Sequence, residues 1–204
     1  MELREALTQI AEIRTQMARG QVFRGYRSVT TMFSGVVALV AGAAQYLCVG
    51  APADEPTRFV GVWLGAGILS LCVVGAEMIL RTRRSNSIVQ RQLSLLAVEQ
   101  FMPSLVVGGL LGYVFAMHLP RHLHLLPGLW MLVFSLGVFA SSRLLPRAIF
   151  GIGAFYLLAG ILTMLVAARD PGRVLVPWVM AGVFAIGQGA TAAILFVKLE
   201  RHHE

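Results

Sequence analysis

Four amide and carboxylate side chains, Gln45, Glu77, Glu99 and Gln188, interrupt long apolar stretches of this chain. A charge at the centre of a membrane span costs about 2.5–3.5 kcal/mol on insertion scales, so each such residue needs a partner or a purpose. Glu77 precedes Arg81 by four residues and is placed to pair with Arg81, Arg84 or Arg27. Glu99 stands beside Gln100 and four residues before Pro103, whose missing N–H weakens the helix there, a setting that suits a proton or cation site. Gln188, held between Gly187 and Gly189, and its shallower analogue Gln45 carry amides that either bond a neighbouring helix or touch a solute. Glu99, Glu77, Gln188 and Gln45 are therefore the candidate intramembrane polar positions.

Imidazoles are good ligands for zinc or copper, and His118, His122 and His124 fall within one run of eight residues, Met117 to His124. Their spacing matches no fixed metal pattern, and Pro120 prevents one regular helix from presenting all three, so they are weak candidates and no metal is expected. The chain has no Gly-rich phosphate loop, no His-Glu-x-x-His, no Cys-x-x-Cys, no Gly-x-Ser-x-Gly and no histidine deep in an apolar stretch. Without an activated nucleophile, a metal or an acid/base pair, catalysis is not expected, nor is a cofactor.

The elements that must position these residues are six apolar stretches, residues 28–49, 59–80, 94–117, 124–141, 148–168 and 174–197. Each is near the roughly 20 helical residues that cross a hydrocarbon core. They consume most of the 204 residues and leave nothing for a folded soluble domain. The reading is an all-α integral membrane protein: an interfacial segment over 1–27, a six-helix bundle over 28–197 and a tail over 198–204.

The net charge of +7 could indicate a nucleic-acid binder, but 13 of the 17 basic residues sit before the first stretch, in alternate gaps and after the last. Arg81, Arg83, Arg84 and Arg91 fill one such gap, whereas the other gaps hold only Arg58, Arg121, Arg169 and Arg173. That alternation is the positive-inside pattern, with both termini in the cytoplasm, as in a prokaryotic plasma membrane, and the arginines partner the bilayer rather than nucleic acid. Trp63, Trp130 and Trp178 each fall near the outer end of a stretch, where amphipathic rings settle at the headgroups. Cys48 and Cys72 lie too far apart along adjacent stretches to form a disulfide.

Leu3, Leu7, Ile10, Ile13 and Met17 recur at steps of three and four, so residues 2–19 are expected as an amphipathic helix on the inner face. It could dock a protein partner or pair in a homodimer. A shift of 93 residues aligns 33–73 with 126–166 in unbroken register, with nine identities including Ala66-Gly67-Ile68-Leu69 on Ala159-Gly160-Ile161-Leu162. A repeat of three spans would place two halves, about 28–117 and 124–197, in opposite orientations, a plan common in secondary transporters. Helix packing is expected along small-residue stripes: Thr30, Ser34, Ala38 and Gly42; Ala181, Ala185, Gly189 and Ala193; and the shorter pairs Gly61/Gly65 and Gly108/Gly112. The leading expectation is passage of a small solute or ion between the halves. The alternative is a non-catalytic subunit or regulator that binds a protein through residues 2–19.

Overall fold

A computed structural model describes residues 28–49, 52, 54–84, 88–142 and 145–200. The amphipathic helix expected over 2–19 lies outside the described residues. All regular structure among the described residues is helical: α1 (Ser28–Cys48), α2 (Pro56–Arg84), α3 (Ile88–Met117), α4 (Leu126–Ser141), α5 (Ile149–Arg169) and α6 (Pro177–Leu195). A 3-10 turn, Pro120–Leu125, leads into α4, a single turn, Pro171–Val174, precedes α6, and a π-helical turn, Phe196–Glu200, follows it. Six helical stretches are long and apolar enough to cross a membrane, which is the architecture of a polytopic membrane protein. Pro56, Pro127, Pro171 and Pro177 all stand in the first turn of a helix, where a missing N–H leaves no bond unmade. Pro103 alone sits in a helix interior.

Sequential helices are antiparallel neighbours, and α6 closes the ring by packing along α1. Two pairs are tight, α1 with α6 and α4 with α5, while α2 and α3 are the least buried of the six. Thr31 and Ser34 of α1 share one cavity wall with Thr191 and Leu195 of α6, so α1 begins where α6 ends. This end also carries Arg81, Arg83, Arg84, Arg91, Arg147 and Lys198 and is called the basic end below.

The seam between α1 and α6 shows how sequence pattern becomes packing. Along α1 the buried residues include Ser28, Thr31, Gly35, Ala38, Gly42 and Gln45, alternating steps of three and four. A strict step of four drifts by about 40° each time, because a helix turns 3.6 residues per revolution. The stripe read as Thr30, Ser34, Ala38 and Gly42 therefore splits: Ala38 and Gly42 stay in the seam, whereas Thr30 and Ser34 rotate out of it. On α6 the same drift leaves Ala193 exposed and Gly189 facing open space, while Ala181 is fully buried against Gly42. A Cβ at Gly42 would lie 2.7 Å from that of Ala181, and one at Gly35 would lie 3.3 Å from that of Gln188.

The glycines equated by the 93-residue shift are used differently. Gly128 and Gly160 bring α4 and α5 together, each Cβ position 3.0 Å from the other's carbonyl oxygen. Their counterparts do not meet, since Gly35 packs on α6 and a Cβ at Gly67 would touch nothing within 4 Å. Gly61 and Gly65 also face open space, whereas Gly112 fits between Trp130 and Val60.

Gly42→Ala is expected to destabilise the bundle by about 1–3 kcal/mol, because α1 and α6 must separate to admit the methyl. Gly189→Ala, on the stripe the sequence favoured, is expected to be neutral or to stabilise by up to about 1 kcal/mol through helix propensity. Reversible unfolding in mixed detergent compares the two, and equal losses would refute the register of the seam.

Candidate functional site

The middle of the bundle is not packed shut. A cavity of about 430 Å³ lies among α1, α2, α3, α4 and α6, and a smaller one of about 90 Å³ follows it toward the basic end. Ser34, Val74, Phe101, Phe134 and Gln188 line both. The rings of Phe101 and Phe134 meet edge to face at 5.4 Å. The larger cavity falls within the size range of small-ligand pockets, and its wall is mostly apolar. Its polar side chains are Ser34, Ser70, Ser104, Gln188 and the indoles of Trp63 and Trp130, and its lining contains no charged residue.

Local structure explains the wall. Trp63 and Trp130 form its side farther from the basic end, and both are turned inward rather than toward headgroups: they are only 7% and 8% exposed, against 55% for Trp178. The expectation of three interfacial tryptophans is corrected for Trp63 and Trp130, whose rings the bundle encloses, while Trp178 is exposed. Each buried indole N–H has a protein acceptor, as an apolar site demands. Trp63 Nε1 donates to Gln45 Oε1 at 2.8 Å, and Trp130 Nε1 donates to the Gly108 carbonyl at 2.8 Å. Phe59 stacks on Trp130 with ring centres 6.5 Å apart. On the far side, Tyr156 of α5 is fully buried among Phe134, Phe155 and Phe184, with its ring seated on Gly187.

The four sequence-derived polar positions go to different places. Gln188 lines both cavities, and its Nε2 lies 3.5 Å from the Tyr156 hydroxyl, a long contact that leaves the amide available to a guest. Gln45 is buried and committed at both ends, donating from Nε2 to the Leu175 carbonyl at 2.7 Å while accepting from Trp63. It ties α1 to α2 and to the approach of α6. Glu77 is half-buried and accepts a hydrogen bond from the Thr30 hydroxyl, joining α2 to α1. Glu99 is exposed on α3. Neither glutamate lines either cavity.

Of the weak metal candidates, His122 and His124 lie in the 3-10 turn with ring centres 6.3 Å apart, and His118 stands edge-on to Tyr113. No group of three or more His, Cys, Asp or Glu able to hold a metal occurs among the described residues. Cys48 and Cys72 are free and exposed. The small cavity adds a residue that sequence reading missed: Ser141, whose hydroxyl oxygen is buried without a hydrogen-bond partner. Phe101, Phe134, Ser70 and Ser104 were equally silent, and Ser34 stood out only as a packing position, because serine and phenylalanine are ordinary within spans and only the fold brings them to one wall.

Gln45→Leu is expected to cost about 1–3 kcal/mol, since it strands the Trp63 N–H and the Leu175 carbonyl in an apolar interior. Trp63→Phe should cost less, and the double variant should show a coupling of at least about 0.5 kcal/mol in a double-mutant cycle of detergent unfolding. Additive losses would mean that the Gln45–Trp63 bond does not hold the helices.

Comparison with known proteins finds no family that matches the chain, and no curated protein or solved structure similar to it.

Proposed function

We propose that the protein binds a small, uncharged, largely apolar solute in the central cavity and passes it toward the basic end, which faces the cytoplasm. The observation that carries this reading is the charge-free cavity with Gln188 in its wall and a second cavity in line beyond it. An ion stripped of water needs charged partners or a ring of carbonyl oxygens. The lining supplies neither, so the chemistry favours the solute half of the sequence expectation over the ion half. A neutral guest gains from burial against Trp63, Trp130, Phe101 and Phe134, while Gln188 and the serines satisfy one or two polar atoms. The closed ring of six antiparallel helices accommodates two inverted halves in sequence, although the equated glycines pack differently. The positive-inside distribution of arginine supports the orientation.

Binding is read with bromobenzene, a neutral heavy-atom quencher, on full-length protein carrying Trp178→Phe, so that the signal comes from the two tryptophans in the wall. Saturable quenching is expected, with the half-saturating concentration raised at least about tenfold by Ser70→Leu with Ala66→Leu, which fill the cavity from α2. Glu77→Gln and Glu99→Gln should leave it unchanged. Linear quenching, the same with and without the filling substitutions, would remove the cavity as a binding site. A tenfold loss in either glutamine variant would restore the glutamates to the path.

A further inference from the structure

We propose that the gap between α2 and α3 is a lateral port in which one acyl chain of an anionic bilayer lipid lodges, completing the wall of the central cavity, with its headgroup at the arginine cluster of the basic end. This goes beyond solute binding and does not require it.

The shape comes first. The helices α2 and α3 meet at Gly112, where a Cβ would lie 3.2 Å from Val60 and 3.3 Å from Leu64. One turn nearer the basic end the contact is gone: added Cβ atoms at Gly109 and Gly67, both in the cavity wall, would touch nothing within 4 Å. Ile68 and Leu71 belong to the same wall yet are 61% and 44% exposed. Residues that line a cavity and also face outward mark an opening, and this one lies within the apolar length of both helices, at the depth of the hydrocarbon core. What lies outside at that depth is acyl chain. The wall it meets is apolar, so a chain entering the gap trades hydrocarbon for hydrocarbon and forfeits no hydrogen bond.

Charge selects the headgroup. Arg81, Arg83 and Arg84 are among the last residues of α2, and Arg91 stands in the first turns of α3, so the densest basic run between spans lies at the same end of the two helices, beyond Gly67 and Gly109 from the Gly112 contact. No acidic residue occurs between Glu77 and Glu99, the two that flank the run. Basic clusters at a span's end attract anionic lipid. A lipid with its phosphate at this run has its chains aligned with the opening.

The test uses full-length Trp178→Phe protein in nanodiscs containing phosphatidylglycerol or phosphatidylcholine brominated on the acyl chain. Quenching of Trp63 and Trp130 should half-saturate at a mole fraction of the anionic lipid at least about fivefold lower than of the zwitterionic one, the preference one arginine near an anionic surface confers. Gly109→Leu, which plugs the gap, should remove the quenching by both lipids. Arg81→Gln with Arg83→Gln and Arg84→Gln should equalise them while leaving quenching intact. Native mass spectrometry of the unsubstituted protein should retain phosphatidylglycerol, which keeps the proposal testable if a variant fails to fold. Equal quenching by the two lipids overturns the headgroup assignment. Quenching that survives Gly109→Leu, or none at all because a second copy of the chain covers the gap, overturns the port. Bromobenzene binding is read separately, so failure of the lipid site and failure of the solute site are distinguishable.

Discussion

Two apolar helices in hydrocarbon gain little by touching, since the lipid they displace is as apolar as they are. What holds this bundle is close backbone approach reinforced by buried hydrogen bonds, and both are concentrated where α1 meets α6. Gly35 and Gly42 let α6 come near enough for Ala181 to be wholly enclosed. At the end of that seam farther from the basic end, Gln45 uses its amide nitrogen on the Leu175 carbonyl and its oxygen on Trp63. An amide so placed is worth more for register than for energy: sliding α1 by one turn would leave three buried polar groups without partners.

The rest of the architecture follows from having two tight pairs with aromatic layers and small residues placed between them. The second pair, α4 with α5, closes through Gly128 and Gly160. Tyr156, Phe134 and Phe184 then hold α5, α4 and α6 together as an aromatic wedge near the basic half. Trp63 and Trp130 fill the other half. Between these aromatic layers the walls recede to serine, alanine and glycine, and a cavity results. With the close contacts spent elsewhere, α2 meets α3 at Gly112, while α2 is tied to α1 by Trp63 on Gln45 and Glu77 on Thr30, and α3 to α4 by Trp130 on the Gly108 carbonyl and by Phe101 on Gly137. The void and the loose side of the ring are therefore one consequence of where the small residues are.

Much of this was legible in the sequence, and the division is physical. Span count and limits could be read because length and hydropathy are set by the bilayer; α1 and α5 fall within one or two residues of the expected bounds, and α2 begins early because Pro56 starts a helix well. Faces were harder. Inside lipid both sides of a helix are apolar, so there is no amphipathic contrast to orient it, and a stripe at steps of four passes for a seam although it drifts around the cylinder. The polar candidates were found as residues but not as a site. Gln188 reaches the cavities, whereas Gln45 became a lock, and Glu77 and Glu99 fall within three residues of the basic end of their spans, where charge is less costly than at the centre. Trp63 and Trp130 were misplaced because a tryptophan near a span's end suits the headgroups equally well, until a buried acceptor is found for its N–H.

Phe101 and Phe134, the two rings common to both cavities, are not held alike. Phe134 is clamped on three sides, by Phe101, Tyr156 and Phe184, with ring centres 4.8 to 5.4 Å apart, on a helix locked to α5. Phe101 rests on Gly137, where a Cβ would lie 2.6 Å from its ring, and belongs to α3, the least buried helix of the six. Two residues further on is Pro103, which withdraws the N–H that the Glu99 carbonyl would otherwise receive and makes this the point where α3 bends most easily. Phe134 is therefore the more firmly held of the two, whereas Phe101 sits on the helix that bends more easily. Gly137 then has a second role besides packing: without a side chain it gives the Phe101 ring a smooth floor, whereas any substituent there would push α3 outward and widen the gap it shares with α2.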